Sequence, residues 1–317
     1  MVMVNYEFPL VSVMITTRNR LGVLPRALES VYAQDYLNLD ILILDDASQD
    51  GTSDYLRSNH SDIRLFRFDQ NRGLIAARNL LMREAKGKYI ISLDDDAFFH
   101  SADTISRVVA RMEAEPEVAV VDFRLVGREE DAEQAPEPEH YTNSYRGGAH
   151  CLRAAVLREA GFYREIALRQ AEEADLTLRI LDKGHRLVYF AIATIVHKFC
   201  PATDCNFGER VALTARNRLL HAWLNEPFPW CLLSTANAFV KYPVTAGRSG
   251  GVRNVLTGFW RAVKDFSSLK STRRPVSSRT MRIYLTLGRQ KIRDRTTIRA
   301  LYLNPPSILG ILFRLSS

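Results

Sequence analysis

Three consecutive carboxylates, Asp94-Asp95-Asp96, follow the apolar run Lys88-Tyr-Ile-Ile-Ser-Leu. Anions on adjacent residues repel one another. Hard divalent cations such as Mg2+ or Mn2+ relieve that repulsion, commonly while gripping substrate phosphates. An isolated Asp triplet reads as a solvated acidic turn, whereas its place at the carboxyl end of a strand favours the metal. Asp45-Asp46 closes a second apolar run, Ile41-Leu-Ile-Leu. A carboxylate there could accept the N3–H of a uracil or thymine, or could form an Asx turn or helix cap with Ser48, Asp50 and Thr52. Arg78 follows Asn71-Arg-Gly73 on a helical stretch, where a guanidinium could bond a diphosphate in bidentate fashion. An ordinary surface arginine is the alternative.

Glu172-Glu173-Ala-Asp175 opens a helix. First-turn carboxylates are favoured by the helix dipole, so capping explains Glu172 or Asp175, yet one of these acids beside a phosphoryl site could act as a general base on a hydroxyl. His197 ends a late strand and could offer a neutral imidazole to a metal, or simply be a satisfied strand histidine. Cys200 and Cys205 near it match no zinc spacing. The chain contains no P-loop, no G-x-G-x-x-G after its first strand, no G-x-S-x-G elbow and no H-E-x-x-H. Phosphates would therefore be held by metal and arginine rather than by a glycine cradle, which suits a nucleoside diphosphate leaving group.

The elements that must position these residues alternate. Val11-Ser-Val-Met-Ile, Ile41 to Leu44, Arg64 to Phe68 and Lys88 to Leu93 predict strands, with helices through Leu24, Leu28 and Val31, from near Thr52, and over Leu74 to Ala85. Strands that are apolar runs rather than strict alternations predict a parallel sheet covered on both faces. Ligands bind such sheets beyond the carboxyl ends of the strands, where Thr16-Thr-Arg-Asn-Arg, Asp45-Asp46 and the Asp triplet all fall. Further along, Glu117 to Val126 predicts a strand, and Arg128 to His140 a flexible acidic loop unable to pack. Leu152 to Ala160 and Ala174 to Lys183 predict helices, the second stopped by Gly184. Arg186 to Phe190 and Ala193 to His197 predict two strands, and from about Asn206 the pattern is helical.

The 317 residues are 46% hydrophobic and 25% charged, which excludes a mainly disordered, collagenous or disulfide-scaffold protein and suits two domains or one α/β domain with an extension. The net charge of +7 hides two opposite halves. Residues 1–200 hold 24 basic and 31 acidic side chains, and residues 201–317 hold 19 and 5. A basic tail on an acidic body suggests an anionic partner: a membrane surface, nucleic acid or a phosphorylated substrate. Four irregularly spaced cysteines suggest a reducing compartment. The N-terminal stretch has no signal-peptide pattern, and no run reaches 18 apolar residues, so attachment to a membrane surface stays open while spanning is not expected.

From Pro9 to Trp223 the sequence resembles the family 2 glycosyltransferases, an inverting family with a GT-A fold. Six segments carry the resemblance in order: Val11 to Arg20, Leu44 to Thr52, Asn71 to Asn79, Ile91 to Asp96, Arg146-Gly-Gly-Ala-His-Cys-Leu-Arg, and Glu172-Glu-Ala-Asp-Leu-Thr-Leu-Arg. It implies a Rossmann-like, mixed but mainly parallel sheet flanked by helices over residues 1–205. A basic, mainly helical extension over 206–317 would face the acceptor or membrane. It implies that Thr16, Arg18 and Asp46 surround the base, that Arg78 approaches base or diphosphate, and that Asp94 and Asp95 meet ribose and phosphate. Asp94 and Asp96 would hold Mn2+ or Mg2+ with His197 as a further ligand, and Gly148 would line the acceptor side. Glu173 stands where the family has its catalytic Asp and Glu172 where it has the preceding Glu, so the base is one of these two. Thr16, Arg18 and Ala171 depart from the common Pro, aromatic and Gly.

The resemblance further implies a nucleoside-diphosphate sugar donor of UDP or dTDP type and a glycan or lipid-linked acceptor. It implies a cytoplasmic enzyme, peripheral at the inner membrane face through 241–299, with no nucleic-acid role for the tail. A nucleotidyltransferase is the rival within enzymes, though Thr16-Thr-Arg-Asn-Arg lacks the glycine its loop would need. A non-catalytic carbohydrate- or membrane-binding protein is the rival outside them.

Overall fold

The computed structural model describes residues 8–167, 170–198, 207–247 and 251–307. The chain divides into two compact units, one formed by 1–140, 145–162 and 186–200, the other by 141–144, 163–185 and 201–317. The elements in chain order are β1 (Val11–Thr17), α1 (Leu24–Tyr32), β2 (Leu39–Asp45), α2 (Thr52–Asn59), β3 (Arg64–Arg67), α3 (Leu74–Glu84), β4 (Tyr89–Asp94), β5 (Ala97–Phe99), α4 (Thr104–Glu113), β6 (Val118–Val126), β7 (His140–Thr142), β8 (Ala149–Arg153), α5 (Ala154–Ala160), α6 (Glu172–Asp182), β9 (Arg186–His197), α7 (Phe207–Asn225), α8 (Trp230–Gly247), α9 (Val252–Leu269), α10 (Ser278–Leu287) and α11 (Arg295–Leu303).

In the first unit eight strands run in the order β3-β2-β1-β4-β8-β6-β9-β5. The half built from β3, β2, β1 and β4 is parallel, as the apolar runs predict. β1 lies between two parallel neighbours with Val11, Val13, Met14 and Ile15 at 0 to 1% exposure. Register aligns the carboxyl ends: Thr16 pairs with Leu44 on one side and Asp94 on the other, and Thr17 pairs with Asp45. α1 buries Leu24, Ala27, Leu28 and Val31, one stripe at helical spacing. At Gly87, just before β4, a Cβ would fall 2.4 Å from the Ser12 nitrogen and 2.6 Å from the Tyr89 oxygen, so only glycine admits this approach.

The other half departs from a purely parallel reading. β8 runs antiparallel to both β4 and β6, and β5 antiparallel to β9. Neither β5 nor β8 stands out as a separate apolar run. β8 takes Leu152 and Arg153 from the stretch that reads as helix, so α5 begins at Ala154. The two expected late strands are one, β9. Its ladder with β6 steps from Phe123↔Phe190 to Arg124↔Thr194, and Ala191-Ile192-Ala193 bulges between, leaving Ile192 half exposed.

The expected flexible loop after β6 is also corrected. Glu130–Glu133 forms a 3-10 turn. Arg124 donates to the carbonyls of Ala132 (3.0 Å) and Asp131 (2.8 Å), Glu129 pairs with Arg26 and Lys198, and His100 lies 3.2 Å from Glu133. An acidic segment that cannot bury apolar surface is fixed instead by the cations around it.

The second unit is helical. α9 crosses α7 so closely at Gly258 that a Cβ would sit 2.2 Å from the Ala212 oxygen, and Leu219, Leu220, Leu224, Val255, Phe259 and Ala262 fill the seam. α6 contacts α7 and α10. Among the described residues, no helix is long and apolar enough to cross a membrane. Cys200 and Cys205 lie outside the described residues.

Candidate active site

The carboxyl edge of the parallel half gathers the acids. Asp94 ends β4, and its backbone N–H donates to the Gly148 carbonyl (2.9 Å). Arg78, 2% exposed, donates from Nη2 to Asp94 Oδ1 (2.7 Å) and to the Gly147 carbonyl (2.9 Å). The surface-arginine alternative is thereby overturned, because Arg78 is buried beneath the acidic triplet. Burial raises the Asp94 carboxyl above its ordinary range, against the pull of Arg78 and His197. Asp95, 9% exposed, is pushed up to about 7, first by burial and further by its two neighbours' charges.

His197 reaches this cluster because β5 follows the triplet directly and pairs with the end of β9, setting Ala97 opposite His197. Its Nε2 lies 2.9 Å from Asp96 Oδ1 and 3.8 Å from Asp94 Oδ2. The hydrogen bond to Asp96 raises the pKa of the imidazole. One ligand atom from each of Asp94, Asp96 and His197 can be chosen so that all three lie within 4.8 Å of one another. Two carboxylate oxygens and an imidazole nitrogen at that spacing fit Mn2+ or Mg2+.

Gly148 backs this arrangement. A Cβ there would lie 2.9 Å from His197 Nδ1 and 3.0 Å from Cε1. The loop bearing Gly147 and Gly148 is fixed by Arg146, which pairs with Asp122 through Nη2 (2.9 Å) and through its backbone N–H (2.9 Å). Next to it His150 is fully buried, donates from Nδ1 to the Arg146 carbonyl (2.9 Å), and has its pKa pushed down to about 3 by burial first and by the Arg78 charge second. Asp122, Arg146 and His150 were not singled out from the sequence. Asp122 carried a signal, as the lone carboxylate amid Val118-Ala-Val-Val, since a buried charge requires a partner.

At the neighbouring strand end the two aspartates divide. Asp45 is buried completely and accepts from the Ser48 N–H (2.8 Å), the Ser53 hydroxyl and Arg67 Nη1 (2.8 Å), the turn-forming role the sequence allowed. Asp46 accepts the Arg72 N–H (2.7 Å) and the Gly73 N–H (2.9 Å), clamping the segment that leads into the Arg78 helix. The loops after β1 and β2 are tied together: the Asn19 N–H donates to Ser48 Oγ (2.8 Å) and the Gln49 N–H to Asn19 Oδ1 (2.8 Å). Asn19 (φ 52°) and Ala47 (φ 62°) both adopt left-handed backbone there. Thr16 and Arg18 border these loops, each half-buried.

In the helical unit the acidic motif opens α6, with Glu172 buried and Glu173 half-buried in the first turn. Ala171 is left-handed (φ 68°), as is Gln170 (φ 75°). The glycine expected before this motif is thus explained by backbone geometry, and this chain carries alanine there at a cost. Asp175 is an ion-pair anchor: Arg164 (2.7 Å), Arg179 (2.7 Å) and Asn225 Nδ2 (2.7 Å) all donate to it. Burial pushes its carboxyl upward, but the two arginines outweigh that and hold it below the usual range. A carboxylate so satisfied is a poor proton acceptor.

A mixed sheet with carboxylates at its parallel strand ends and a histidine returned by an antiparallel edge defines a GT-A fold. Solved structures share that fold. The mannosyltransferase PcManGT from Pyrobaculum calidifontis, in complex with GDP-Man and Mn2+, matches with TM-score 0.57 at 20% identity over 93% of this chain and 85% of that one. S. aureus TarS 1-349 in complex with UDP-GlcNAc matches with TM-score 0.60 at 15% identity over 93% and 90%.

Residues 12–169 match the profile of glycosyl transferase family 2. Bacillus subtilis EpsE, named as a glycosyltransferase, is 30% identical over 193 residues, 56% of this chain and 69% of EpsE. The chain belongs to glycosyltransferase family 2. An Escherichia coli relative, the UDP-Glc:alpha-D-GlcNAc-diphosphoundecaprenol beta-1,3-glucosyltransferase WfaP, is 35% identical over 108 residues, 33% of this chain and 42% of that protein. A glycosyltransferase of Rickettsia felis is 43% identical over 91 residues, 28% of this chain but 15% of its own length, so the match spans a small part of that relative.

Proposed function

We propose that this protein transfers a sugar from a nucleoside-diphosphate sugar, of UDP or dTDP type, to a hydroxyl of a glycan or lipid-linked acceptor, with inversion at the anomeric carbon. The observation that carries this reading is the Asp94, Asp96 and His197 cluster at the carboxyl edge of the parallel strands, with buried Arg78 beneath it. The Mn2+ and sugar nucleotides named with the PcManGT and TarS structures, and the diphosphoundecaprenol acceptor in the name of WfaP, support it by likeness.

Asp94, Asp96 and His197 would hold Mn2+ or Mg2+, which would supply charge neutralisation for the departing diphosphate. Thr16, Arg18 and Asp46 define the base pocket, Asp46 through the backbone it clamps, and Asp95 meets the ribose. Gly148 keeps the His197 ring in place on the side assigned to the acceptor. Glu173, or Glu172 beside it, accepts the proton of the acceptor hydroxyl. As that O–H bond breaks, the oxygen forms its bond to the anomeric carbon opposite the nucleotide, and the bond to the diphosphate oxygen breaks with its electron pair leaving on the diphosphate. One displacement inverts the centre. We assign residues 1–205 to the catalytic domain, which draws α6 from the helical unit, and 206–317 to a basic helical region. The enzyme works in the cytoplasm at the inner membrane face, with 241–299 toward anionic lipid.

Purified Asp96→Ala and Glu173→Gln variants are expected to keep the native circular dichroism and to lose transfer when assayed with Mn2+ across a panel of sugar nucleotides. Wild-type transfer by either variant overturns the role given to that residue. Release of pyrophosphate rather than a nucleoside diphosphate by the wild type would identify a nucleotidyltransferase instead.

A further inference from the structure

Helix α8 is apolar on the side it turns to solvent. Leu232 (61% exposed), Leu233 (49%), Phe239 (48%), Val240 (67%) and Val244 (62%) are all outward. At about 100° per residue they fall, with Ala236 and Pro243, within one arc of roughly 140°. The buried residues are Trp230, Cys231, Ala238 and Ala246, with Cys231 and Ala238 opposite that arc and Trp230 and Ala246 at its flanks. Exposed Asn237, Lys241 and Thr245 form a narrow polar strip along one border of that arc, so the solvent side of the helix is a broad apolar face edged by a single cation rather than an ordinary polar outer face. In the same unit α9 repeats the pattern: Leu256 (54%), Trp260 (58%) and Val263 (56%), at i, i+4 and i+7, face outward while Val255, Phe259 and Ala262 are buried. The two helices pack together through Phe239 and Phe259, ring centroids 4.5 Å apart, so Phe239 belongs both to the seam and to the exposed face.

The charges around these stripes are predominantly basic. α8 carries one charged side chain, Lys241, and no carboxylate. On α9 the one carboxylate, Asp265, is occupied by Arg216 (2.7 Å), and Glu209 by Arg261 (2.6 Å). Lys241, Arg253, Lys264, Lys270 and Arg274 are exposed, and among the described residues none has a carboxylate partner. Lys264 Nζ sits 3.3 Å from the Trp260 ring centroid, so an exposed indole and an ammonium share one patch.

We infer that the outward faces of α8 and α9 seat this protein in the interfacial layer of an anionic lipid bilayer. The apolar side chains enter the acyl boundary, and Lys241, Arg253, Lys264, Lys270 and Arg274 meet lipid phosphates. This deepens the membrane part of the function proposed above, replacing the tail's net charge with a defined surface. A second copy of the chain is the poorer occupant, because like cations would be brought together without acids to answer them. Trp260 matches the interface, where an indole keeps one edge wet.

The test is flotation of the full chain with phosphatidylcholine vesicles made with and without phosphatidylglycerol, comparing wild type, Val240→Ser/Val244→Ser/Trp260→Ser, and Lys241→Glu/Lys264→Glu. These side chains are exposed, and an unchanged thermal melt and unchanged sugar-nucleotide hydrolysis in detergent-free buffer certify the fold and the active site separately from the membrane. Wild type is expected to float with the anionic vesicles, with the partition coefficient falling at least tenfold in each variant. Trp260 emission should shift to the blue on vesicle addition, a change lost in Trp260→Phe. Flotation of the serine variant equal to wild type overturns the inference while leaving attraction by the basic tail intact. A wild-type dimer that the serine substitutions dissolve assigns the face to a second copy and also overturns it.

Discussion

Gly148→Ala places a methyl group against the His197 ring, and its consequence can be worked from distances. The new Cβ would stand 2.9 Å from Nδ1, 3.0 Å from Cε1 and 3.2 Å from the Leu125 Cδ1, where ordinary contact begins at 3.4 Å. Relief of the closest contact requires a displacement of about 0.5 Å, and the imidazole is the side chain most able to give. Its far nitrogen, Nε2, is the atom 2.9 Å from Asp96. Metal-ligand distances tolerate about 0.2 Å, and disturbing the groups that orient a ligand typically costs about 10- to 100-fold in metal affinity. The variant is therefore expected to bind Mn2+ about 10- to 100-fold more weakly, or about 1.4–2.7 kcal/mol. Global stability should fall by about 1 kcal/mol, the low end for overpacking. Isothermal titration with Mn2+ reads the first quantity and urea unfolding the second, and excess Mn2+ should restore sugar transfer. Unchanged Mn2+ affinity in a folded variant would refute the argument that Gly148 sets the imidazole position.

Three further outcomes follow from the same geometry. Arg78→Ala removes a buried cation from beneath Asp94 and should cost about 3 kcal/mol in urea unfolding, the lower end for breaking a buried pair because Asp94 retains some solvent contact; a loss below about 1 kcal/mol would contradict that placement. His150 titrates near 3 when folded and near 6.5 when unfolded. Its stabilising contribution is thus full above pH 6.5 and is lost as pH falls toward 3, because only the unfolded chain takes up the proton in that window. Between pH 7 and pH 5 this amounts to about 2 kcal/mol. Asp95, raised to about 7, works in the opposite sense, so the measurement is the difference in pH slope between wild type and His150→Gln, and identical slopes would refute it. Ala171→Gly relieves about 1–2 kcal/mol of left-handed strain against about 0.4–1 kcal/mol of added chain entropy, for a net gain of about 0.5 kcal/mol in thermal unfolding; destabilisation by more than about 1 kcal/mol would contradict it.

The parallel half of the sheet was legible because its inner strands β1, β2 and β4 are largely buried on both faces and read as apolar runs ending in polar clusters, whereas β3, at the edge, is only partly buried. The antiparallel half was not. β5 has three residues and sits against the Asp triplet, and β8 merges into the following helix, so neither leaves a periodic trace. The metal-ligand candidates divided in the same way. Asp94 and Asp96 announced themselves as neighbours in sequence, whereas the approach of His197 across 101 residues depends on the β5–β9 pairing. Asp45 and Asp175 show the converse difficulty: an acid in the right stretch can be consumed by structural donors, and nothing local distinguishes it from one left for chemistry. The exposed apolar face of α8 was hidden for a related reason, since Asn237, Lys241 and Pro243 interrupt the run in sequence but lie within or beside its outward side.

The pairing of β5 with β9 makes the ion site a clasp on the edge of the sheet. Asp96 precedes three residues of strand, His197 ends another, and the ladder joins them at Ala97↔His197, Phe98↔Val196 and Phe99↔Ile195. Closing so long a loop for three rungs of ladder is entropically expensive, and such edges are where native proteins open locally. A cation held by both ends would bind the closed edge and not the open one. Mn2+ at one hundred times its dissociation constant would then stabilise that edge by about 2.7 kcal/mol. Amide exchange slowed in β5 and the end of β9, with β1 and β2 unaffected, would make the cofactor visible as a local brace before any sugar is transferred.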